Sequence, residues 1–340
     1  MTSAIRSVRS ETGEDIASYS SPPAPPPEII SEAEAVATRL SNGVTRLDVD
    51  WRAALPRLTD LGRVRIVTSN PVVEHRKTGR FGNVHTSHDT ALVLNREIDL
   101  RIELNQWRYT FLDTESASIR IFDAEGGAVH AIHRTSETNP AAWDAFVASC
   151  ISADQDPALT ILPPPPPDIQ RSYNAVDVDA LRTGWTALTD VHQFAPMLRQ
   201  LNLSRQQAMH LAGTPWARKV PAYGLTALLL AAAAEEVPIM IFVSSSGCTQ
   251  IHTGLVRKVI ATCDWIEVAD PGFILRVRRA DVARAWVVKK PIAQGEITTL
   301  EIYDRGGECR AIVCGQRDRG QPERREWAEL AAAIPSAPTL

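Results

Sequence analysis

The chain has 340 residues, and its 36 Lys and Arg against 40 Asp and Glu give a formal net charge of −4. With 44% hydrophobic and 22% charged residues, the composition is that of an ordinary globular protein, and the length allows two domains or one duplicated unit. The small negative charge excludes a protein held on nucleic acid by its overall charge, so we expect no nucleic-acid partner.

The N-terminal segment, residues 1–27, is rich in Ser, Pro and Glu. Such a segment cannot bury enough apolar surface to offset the entropy lost on ordering, so we predict a disordered leader. It also lacks the apolar stretch of a secretory signal. The longest apolar run, residues 225–234, is far shorter than the roughly 20 residues that a membrane helix needs. We therefore expect a cytoplasmic protein that is not embedded in a membrane.

A block of consecutive prolines, residues 163–167, interrupts the chain near its midpoint. Consecutive prolines adopt an extended, semi-rigid polyproline II conformation, so residues 161–172 are predicted to form a linker. This linker separates an N-terminal repeat, residues 28–160, from a C-terminal repeat, residues 173–336.

The two repeats share short patterns in the same order. Residues 118–127 alternate as a strand and continue with an aromatic residue, an Asp and a Gly turn, and residues 299–307 have the same pattern. Two further pairs of segments correspond, namely residues 72–79 with 249–254 and residues 98–102 with 273–277. The shared order indicates an ancient tandem duplication.

Alternation of apolar and polar residues through 64–135 and 239–315 predicts antiparallel sheet in both repeats. Helical spacing is found beside these segments, in residues 31–40, 181–188, 197–203, 205–212 and 325–333. The first of these helices is expected to be capped by Ser31. The predicted fold class is therefore α+β, with a tandem duplication and two large, mostly antiparallel sheets flanked by helices.

Common catalytic and metal-binding motifs are absent from the sequence. It contains no GxSxG, HExxH, Walker or GxGxxG motif, and no CxxC or CxxCH. The five cysteines are expected to be reduced and buried. His85 and His88 lie within a Gly/Asn/Ser-rich segment without a carboxylate or thiol at ligand spacing, so we interpret them as solvated loop histidines. Catalytic residues are left unassigned.

His192 has more informative surroundings. Because proline fits easily only in the first turn of a helix, Pro196 predicts a helix that begins near residues 193–195, with His192 at its N-terminal end. The positive end of the helix dipole disfavours a charged imidazole, which leaves a neutral ring nitrogen available to a metal. From the residues alone, a histidine that is merely hydrogen-bonded at a helix start is the more common explanation.

Three cationic residues are candidates for binding an anionic ligand. Arg101 lies on an apolar strand, where alternation places its side chain on the same face as Asp99 and Glu103. Lys290 and Arg317 are expected in turns, where they could clamp the carboxylates of a flat ligand.

The motifs together resemble the haemin-degrading factor family (HemS/HmuS-like proteins) of bacterial haem utilisation. The resemblance runs over nearly all of residues 45–335. It is carried by residues 75–81, 98–101, 122–130, 189–194, 204–208, 241–243, 247–254, 286–291 and 315–323. No single segment is diagnostic, but their order and spacing together are highly specific.

The resemblance implies a duplicated fold that holds haem b, without a covalent bond, in a cleft of the C-terminal repeat. It implies that His192 is the axial ligand of the haem iron and that Arg101 reaches the opposite face of the haem. Further haem contacts are implied for Lys290, Arg317, Arg205 and Gln206.

Three functions are open at this point. The chain could be a haem chaperone that receives haem from an inner-membrane importer and passes it on, for example to a haem oxygenase. It could instead be an enzyme that opens the porphyrin ring and releases iron, or a relative that has lost haem binding. We favour the chaperone, because the sequence has no flavin or nicotinamide motif that would deliver electrons.

Overall fold

The structure is a computed structural model that describes residues 30–164, 176–318 and 320–338. The predicted leader and most of the predicted linker lie outside the described residues, so the proposed repeat boundaries stay a prediction. None of the described helices is both long and apolar enough to cross a membrane.

The described residues form eighteen strands, nine in each repeat. The strands of the first repeat are β1 (Val44–Leu47), β2 (Arg63–Ser69), β3 (Val73–Arg80), β4 (Val84–Thr86), β5 (Thr90–Leu94), β6 (Asp99–Glu103), β7 (Tyr109–Asp113), β8 (Ser118–Phe122) and β9 (Ala128–His133). The strands of the second repeat are β10 (Ala217–Val220), β11 (Ile239–Ser244), β12 (Cys248–Gly254), β13 (Val259–Ala261), β14 (Trp265–Asp270), β15 (Phe273–Arg278), β16 (Arg284–Ile292), β17 (Gly295–Tyr303) and β18 (Cys309–Gly315).

Helices flank the strands in both repeats. The α-helices are α1 (Glu32–Ala37), α2 (Trp51–Ala54), α3 (Pro140–Ala148), α4 (Val178–Thr186), α5 (Phe194–Leu201), α6 (Arg205–Ala212), α7 (Gly224–Ala234) and α8 (Arg325–Ala333). Short 3₁₀ helices cover Leu55–Leu61, Leu104–Gln106, Val191–Gln193 and Arg279–Asp281. The predicted cap on the first helix is present, because the Ser31 side chain accepts a hydrogen bond from the Glu34 amide.

Two nine-stranded antiparallel sheets contain all of these strands, which confirms the predicted fold class. The order is β1-β7-β8-β9-β2-β3-β15-β14-β13 in the first sheet and β10-β16-β17-β18-β11-β12-β6-β5-β4 in the second. Each strand of one sheet therefore has a counterpart at the same place in the other, as a tandem duplication requires. The repeats do not form separate sheets, however, because each contributes six strands to one sheet and three to the other.

The exchanged strands help to build the two large hydrophobic cores. One core packs the second sheet and the strands β14 and β15 of the first sheet against α7 and α8. The other packs the first sheet and the strands β5 and β6 of the second sheet against α2 and α3. We call the faces that form these cores the inner faces of the sheets. The exchanged strands thus keep their side chains in the core of their own repeat, while their backbones pair with the other repeat, β6 with β12 and β15 with β3, which holds the two repeats together.

The outer faces are covered by helices near one edge only. Helices α4, α5 and α6 pack on β10, β16 and β17 of the second sheet. In the first sheet, α1 packs on the equivalent strands β1, β7 and β8. These helices do not reach the central strands, which leaves an outer face on each sheet where a ligand can bind.

Two expectations from the sequence are wrong in detail. His85 lies on strand β4 instead of in a loop, although its side chain is exposed as expected. All five cysteines are free, but Cys263 is exposed because it lies in the turn between β13 and β14.

Candidate ligand-binding cleft

The candidate site is the outer face of the second sheet between β17 and β6. Residues paired directly across antiparallel strands share a face, so one row of this face can be followed from strand to strand. The row consists of Glu301, Ile312, Phe242, Ile251 and Asp99. Four strand spacings separate its ends, which corresponds to about 19 Å. The middle of the face is apolar, whereas both ends carry charge.

The exchange of strands places Arg101 on this face. Arg101 pairs in register with Thr249 of β12, and its side chain donates hydrogen bonds to the Asp99 carboxylate and, at 3.1 Å, to the Leu100 carbonyl. On the neighbouring strand, Leu92 lies directly opposite Arg101, and it is 36% exposed although it is a large apolar residue. The N-terminal repeat thus supplies a guanidinium group and apolar surface to the cleft on the second sheet.

His192 lies in the 3₁₀ turn that leads directly into α5, as the position of Pro196 predicts. Its side chain is 91% exposed, and its Nδ1 lies 2.6 Å from Oδ1 of Asp190. The same carboxylate accepts a hydrogen bond from the His192 amide at 2.8 Å. When Nδ1–H donates to Asp190, the other ring nitrogen, Nε2, carries a free lone pair. This is the arrangement in which a histidine binds a metal.

Asp190 is a candidate functional residue that the sequence did not reveal. The pKa of its carboxyl is lowered, first by hydrogen bonds from the amide and the imidazole of His192, and further by the charges of His192 and Arg317. The carboxylate therefore stays ionised and keeps the imidazole oriented. An Asp two residues before a His is a weak signal in a sequence, because the same residue is also an ordinary helix cap.

Arg317 lies near this histidine, outside the strand, as expected. It follows the end of β18, and its Nη1 donates a hydrogen bond to the Gln321 carbonyl at 3.3 Å. The segment that leads to His192 lies at the same end of the sheet, because the Thr189 carbonyl accepts a hydrogen bond from the Ala293 amide in the turn between β16 and β17, and the end of β18 lies beside the start of β17. The structure thus brings His192 and Arg317 together at one end of the cleft.

Lys290 and Arg205 meet around a carboxylate that the sequence analysis did not identify. Glu301 is completely buried, and its oxygens accept hydrogen bonds from Lys290 Nζ and from Arg205 Nε and Nη2, each at 2.7 Å. The Tyr303 hydroxyl donates to the same carboxylate at 2.6 Å. Both cations also lie over the Phe194 ring, at 5.1 and 5.2 Å from its centre. We call Glu301, Lys290, Arg205 and Tyr303 the Glu301 cluster.

Burial and charge act in opposite directions on the Glu301 cluster. Burial would raise the pKa of the Glu301 carboxyl, but the charges of Arg205 and Lys290 lower it well below its usual value. Burial lowers the pKa of Lys290 more than the charge of Glu301 raises it. The expectation that Lys290 lies in a turn is wrong, because it is a buried residue of strand β16.

Gln206 is also engaged within the protein, since its Nε2 donates to the Gly307 carbonyl at 2.8 Å in the turn between β17 and β18. The hydrogen bonds of Arg205 to Glu301 and of Gln206 to Gly307 therefore connect helix α6 to the sheet. The sequence feature that could have revealed the Glu301 cluster is the position of Glu301 between the apolar residues Leu300 and Ile302 of a strand. In the part of the chain that the structure describes, no group of three or more His, Cys, Asp or Glu side chains could hold a metal ion.

The fold and the cleft together define a class of protein. It is a duplicated two-sheet protein in which one sheet has an apolar outer face, a histidine presents a free Nε2, and cations lie at the ends of that face. Comparison with known proteins gives the family. The haemin-degrading HemS/ChuX domain matches two segments, residues 29–150 and 202–334. The chain belongs to this family.

Related proteins cover almost the whole chain. The hemin transport protein HmuS of Yersinia pestis is 38% identical over 313 residues, 90% of each chain. The structure of PhuS, a heme-binding protein from Pseudomonas aeruginosa, is 36% identical, with a TM-score of 0.88, and covers 91% of this chain and 92% of PhuS. The structure of ChuS, described as an E. coli heme oxygenase, is 33% identical, with a TM-score of 0.81, covering 90% and 93% of the two chains.

Proposed function

We propose that the chain binds one haem in the cleft on the second sheet, with Nε2 of His192 as the axial ligand of the iron. The observation that carries the proposal is the free Nε2 of His192, whose partner nitrogen is fixed by Asp190 beside an apolar sheet face. Arg101 then faces the opposite side of the haem. Arg317, Lys290, Arg205 and Gln206 are proposed as polar contacts.

The chemistry of these groups fits haem. A porphyrin has two apolar faces, and each Å² of apolar surface that it removes from water contributes roughly 25 cal/mol. Its iron requires an axial donor, for which a neutral imidazole is suited, and its propionates require cations. Of the proposed cations, Arg317 is the one best suited to a propionate, because its hydrogen bond goes to a backbone carbonyl and not to a carboxylate. Without a CxxCH motif, the haem is held non-covalently as haem b.

We further propose that the chain traffics haem in the cytoplasm. It would accept haem from an inner-membrane importer and pass it to a haem oxygenase. The description of HmuS as a hemin transport protein supports this role. The exposure of His192 supports it as well, because an exposed ligand is accessible to an acceptor protein that takes the haem away.

Degradation of haem is the second candidate, and the description of ChuS as a heme oxygenase favours it. In that case the bound haem is the substrate and its iron supplies the oxygen chemistry, while the protein supplies binding and orientation. Arg101, a cation on the side opposite to His192, would then be the protein group nearest to the reacting face.

One experiment separates the two candidates. The purified complex with haemin is given an electron donor under air, and the products are followed by absorption and by an iron chelator. Trafficking predicts intact haem that moves to an added apo-acceptor. An open-chain tetrapyrrole with released iron would instead establish degradation. Absence of any Soret shift when haemin is added would show that this chain does not bind haem.

Replacing Asp190 with asparagine is expected to weaken haemin binding about tenfold to 100-fold, because the groups that orient a metal-bound histidine have effects of this size. Asparagine can still cap the helix, so the fold should be retained. Asp177→Asn, at the cap of α4, is the matched control and should leave the haemin affinity unchanged. Equal affinities of the wild type and Asp190→Asn would refute the orienting role.

A further inference from the structure

The duplication gives the first sheet its own outer cleft, equivalent to the candidate haem cleft. The row of the second sheet that runs from Glu301 to Asp99 has a counterpart on β8, β9, β2, β3 and β15. This counterpart row consists of Arg120, Ala131, Val67, Arg76 and Ile274. The two rows occupy the same strands of two sheets with the same order, so they can be compared position by position.

The comparison shows that the first-sheet cleft is cationic where the second-sheet cleft is apolar or acidic. Arg120 stands in place of Glu301, and Arg76 in place of Ile251. In the adjacent row, Arg65 lies directly opposite His133.

The equivalent pair in that adjacent row of the second sheet is Met240 and Cys314. Each of the three first-sheet arginines thus occupies a position that carries no positive charge in the second sheet. The two clefts have diverged in the property that selects a ligand.

Arg120 and His133 line a depression in the surface, and Arg65 and Arg76 lie next to it on the same sheet face, directly opposite His133 and Val67. A cavity of about 260 Å³ is lined by Val67, Glu74, Arg120, Ala131 and His133, among others. The three arginines and the histidine are half-buried. Burial lowers the pKa of His133, and the charges of Arg65, Arg76 and Arg120 lower it further.

Two of the three guanidinium groups lack an anionic partner. Arg76 is paired with Glu74 at 2.7 Å. In the part of the chain that the structure describes, Arg65 and Arg120 have neither a hydrogen bond nor an ion pair, and Arg120 only lies over the Phe122 ring at 5.2 Å.

The other acidic groups around the cavity do not neutralise this charge. Asp113 is paired with Arg39 at 3.2 Å, and Glu32 lies exposed at the rim. Two guanidinium groups without an anionic partner on one sheet face suit an anion, because each can donate two hydrogen bonds to the oxygens of a phosphate.

We propose that the first-sheet cleft is a binding site for a phosphate group, either inorganic phosphate or a small phosphate monoester, held by Arg65 and Arg120 with His133 beside them. Haem is not the ligand of this cleft, because its centre presents Arg76 and Arg65 where the haem cleft presents apolar side chains. The proposal is independent of the haem function, since it concerns different residues on a different sheet.

The test is a titration of the full-length protein with inorganic phosphate and, separately, with glycerol 3-phosphate, followed by calorimetry and by the imidazole NMR signals of His133. We expect saturable binding and an increase in the pKa of His133, because a bound dianion offsets the charge of the arginines. Tighter binding of the monoester identifies an organic phosphate as the ligand, and tighter binding of phosphate identifies the free ion.

Two variants and a control make the test specific. Arg120→Gln and Arg65→Gln should each weaken phosphate binding about tenfold or more, since each removes a charged hydrogen-bond donor. Both should keep the wild-type haemin titration and thermal melt. The control Arg57→Gln removes an exposed arginine that bonds the Ser149 hydroxyl, and should change nothing. Non-saturable binding, equal affinities of all variants, or displacement of haemin by phosphate would overturn the proposal.

Discussion

Replacement of His192 by alanine is expected to weaken haemin binding by at least about 100-fold. The groups that merely orient a ligand of this kind contribute about tenfold to 100-fold, so loss of the ligand itself should have no smaller effect. The Soret and visible bands of any residual complex should differ from those of the wild type, because the iron then lacks imidazole. An absorption titration of the two purified apo-proteins with haemin measures both quantities.

His88→Ala is a suitable control for this substitution. The His88 side chain is 82% exposed in the segment between β4 and β5, and its Nδ1 is 2.8 Å from Nη2 of Arg52. The control should bind haemin as the wild type does. If His192→Ala gave the wild-type affinity and spectrum while remaining folded, the proposed axial ligand would be wrong.

Replacement of Glu301 by glutamine is expected to lower the free energy of unfolding by about 3–5 kcal/mol, the usual effect of removing one partner of a buried ion pair. The amide leaves the buried Lys290 and the half-buried Arg205 without their anion. The glutamine amide can accept hydrogen bonds only at its carbonyl oxygen, so the bonds from both cations and from Tyr303 cannot all persist. Unfolding in urea, followed by tryptophan fluorescence, measures the change.

The contribution of Glu301 should also depend on pH. Since the pKa of its carboxyl is lowered in the folded protein, its stabilising effect is complete above the usual value of 4.5 and is lost as the pH falls towards the folded value. The difference in the free energy of unfolding between the wild type and Glu301→Gln should therefore become smaller in acid.

Glu296→Gln serves as the control for the Glu301 substitution. It breaks an ion pair with Lys289 in which Glu296 is 46% exposed, and should cost about 1 kcal/mol or less. Equal stabilities of the two variants would show that the Glu301 cluster does not hold this region together.

Local features of the site could be predicted from the sequence because they depend on neighbours along the chain. Pro196 restricts where α5 can begin, and this placed His192 correctly at its start. Alternation in β6 likewise predicted the face on which Arg101 lies, and repeated patterns predicted the duplication.

Features that depend on contacts between distant segments were not predictable. The exchange of β4, β5 and β6 for β13, β14 and β15 follows from strand pairing between the repeats. The alternation of apolar and polar residues within a strand does not indicate which other strand it pairs with. For the same reason, Lys290 was expected at a turn, although it is buried against Glu301, eleven residues away along the chain and on the adjacent strand. Only the register brings these charges together.

The central claim is that haem lies on the outer face of the second sheet with its iron on His192. A crystal structure of the complex with haemin tests it most directly. We predict an iron–Nε2 bond to His192, Asp190 on the other ring nitrogen, and Arg101 across the haem plane. Iron bound to another side chain, or haem in the cleft of the first sheet, would contradict the claim.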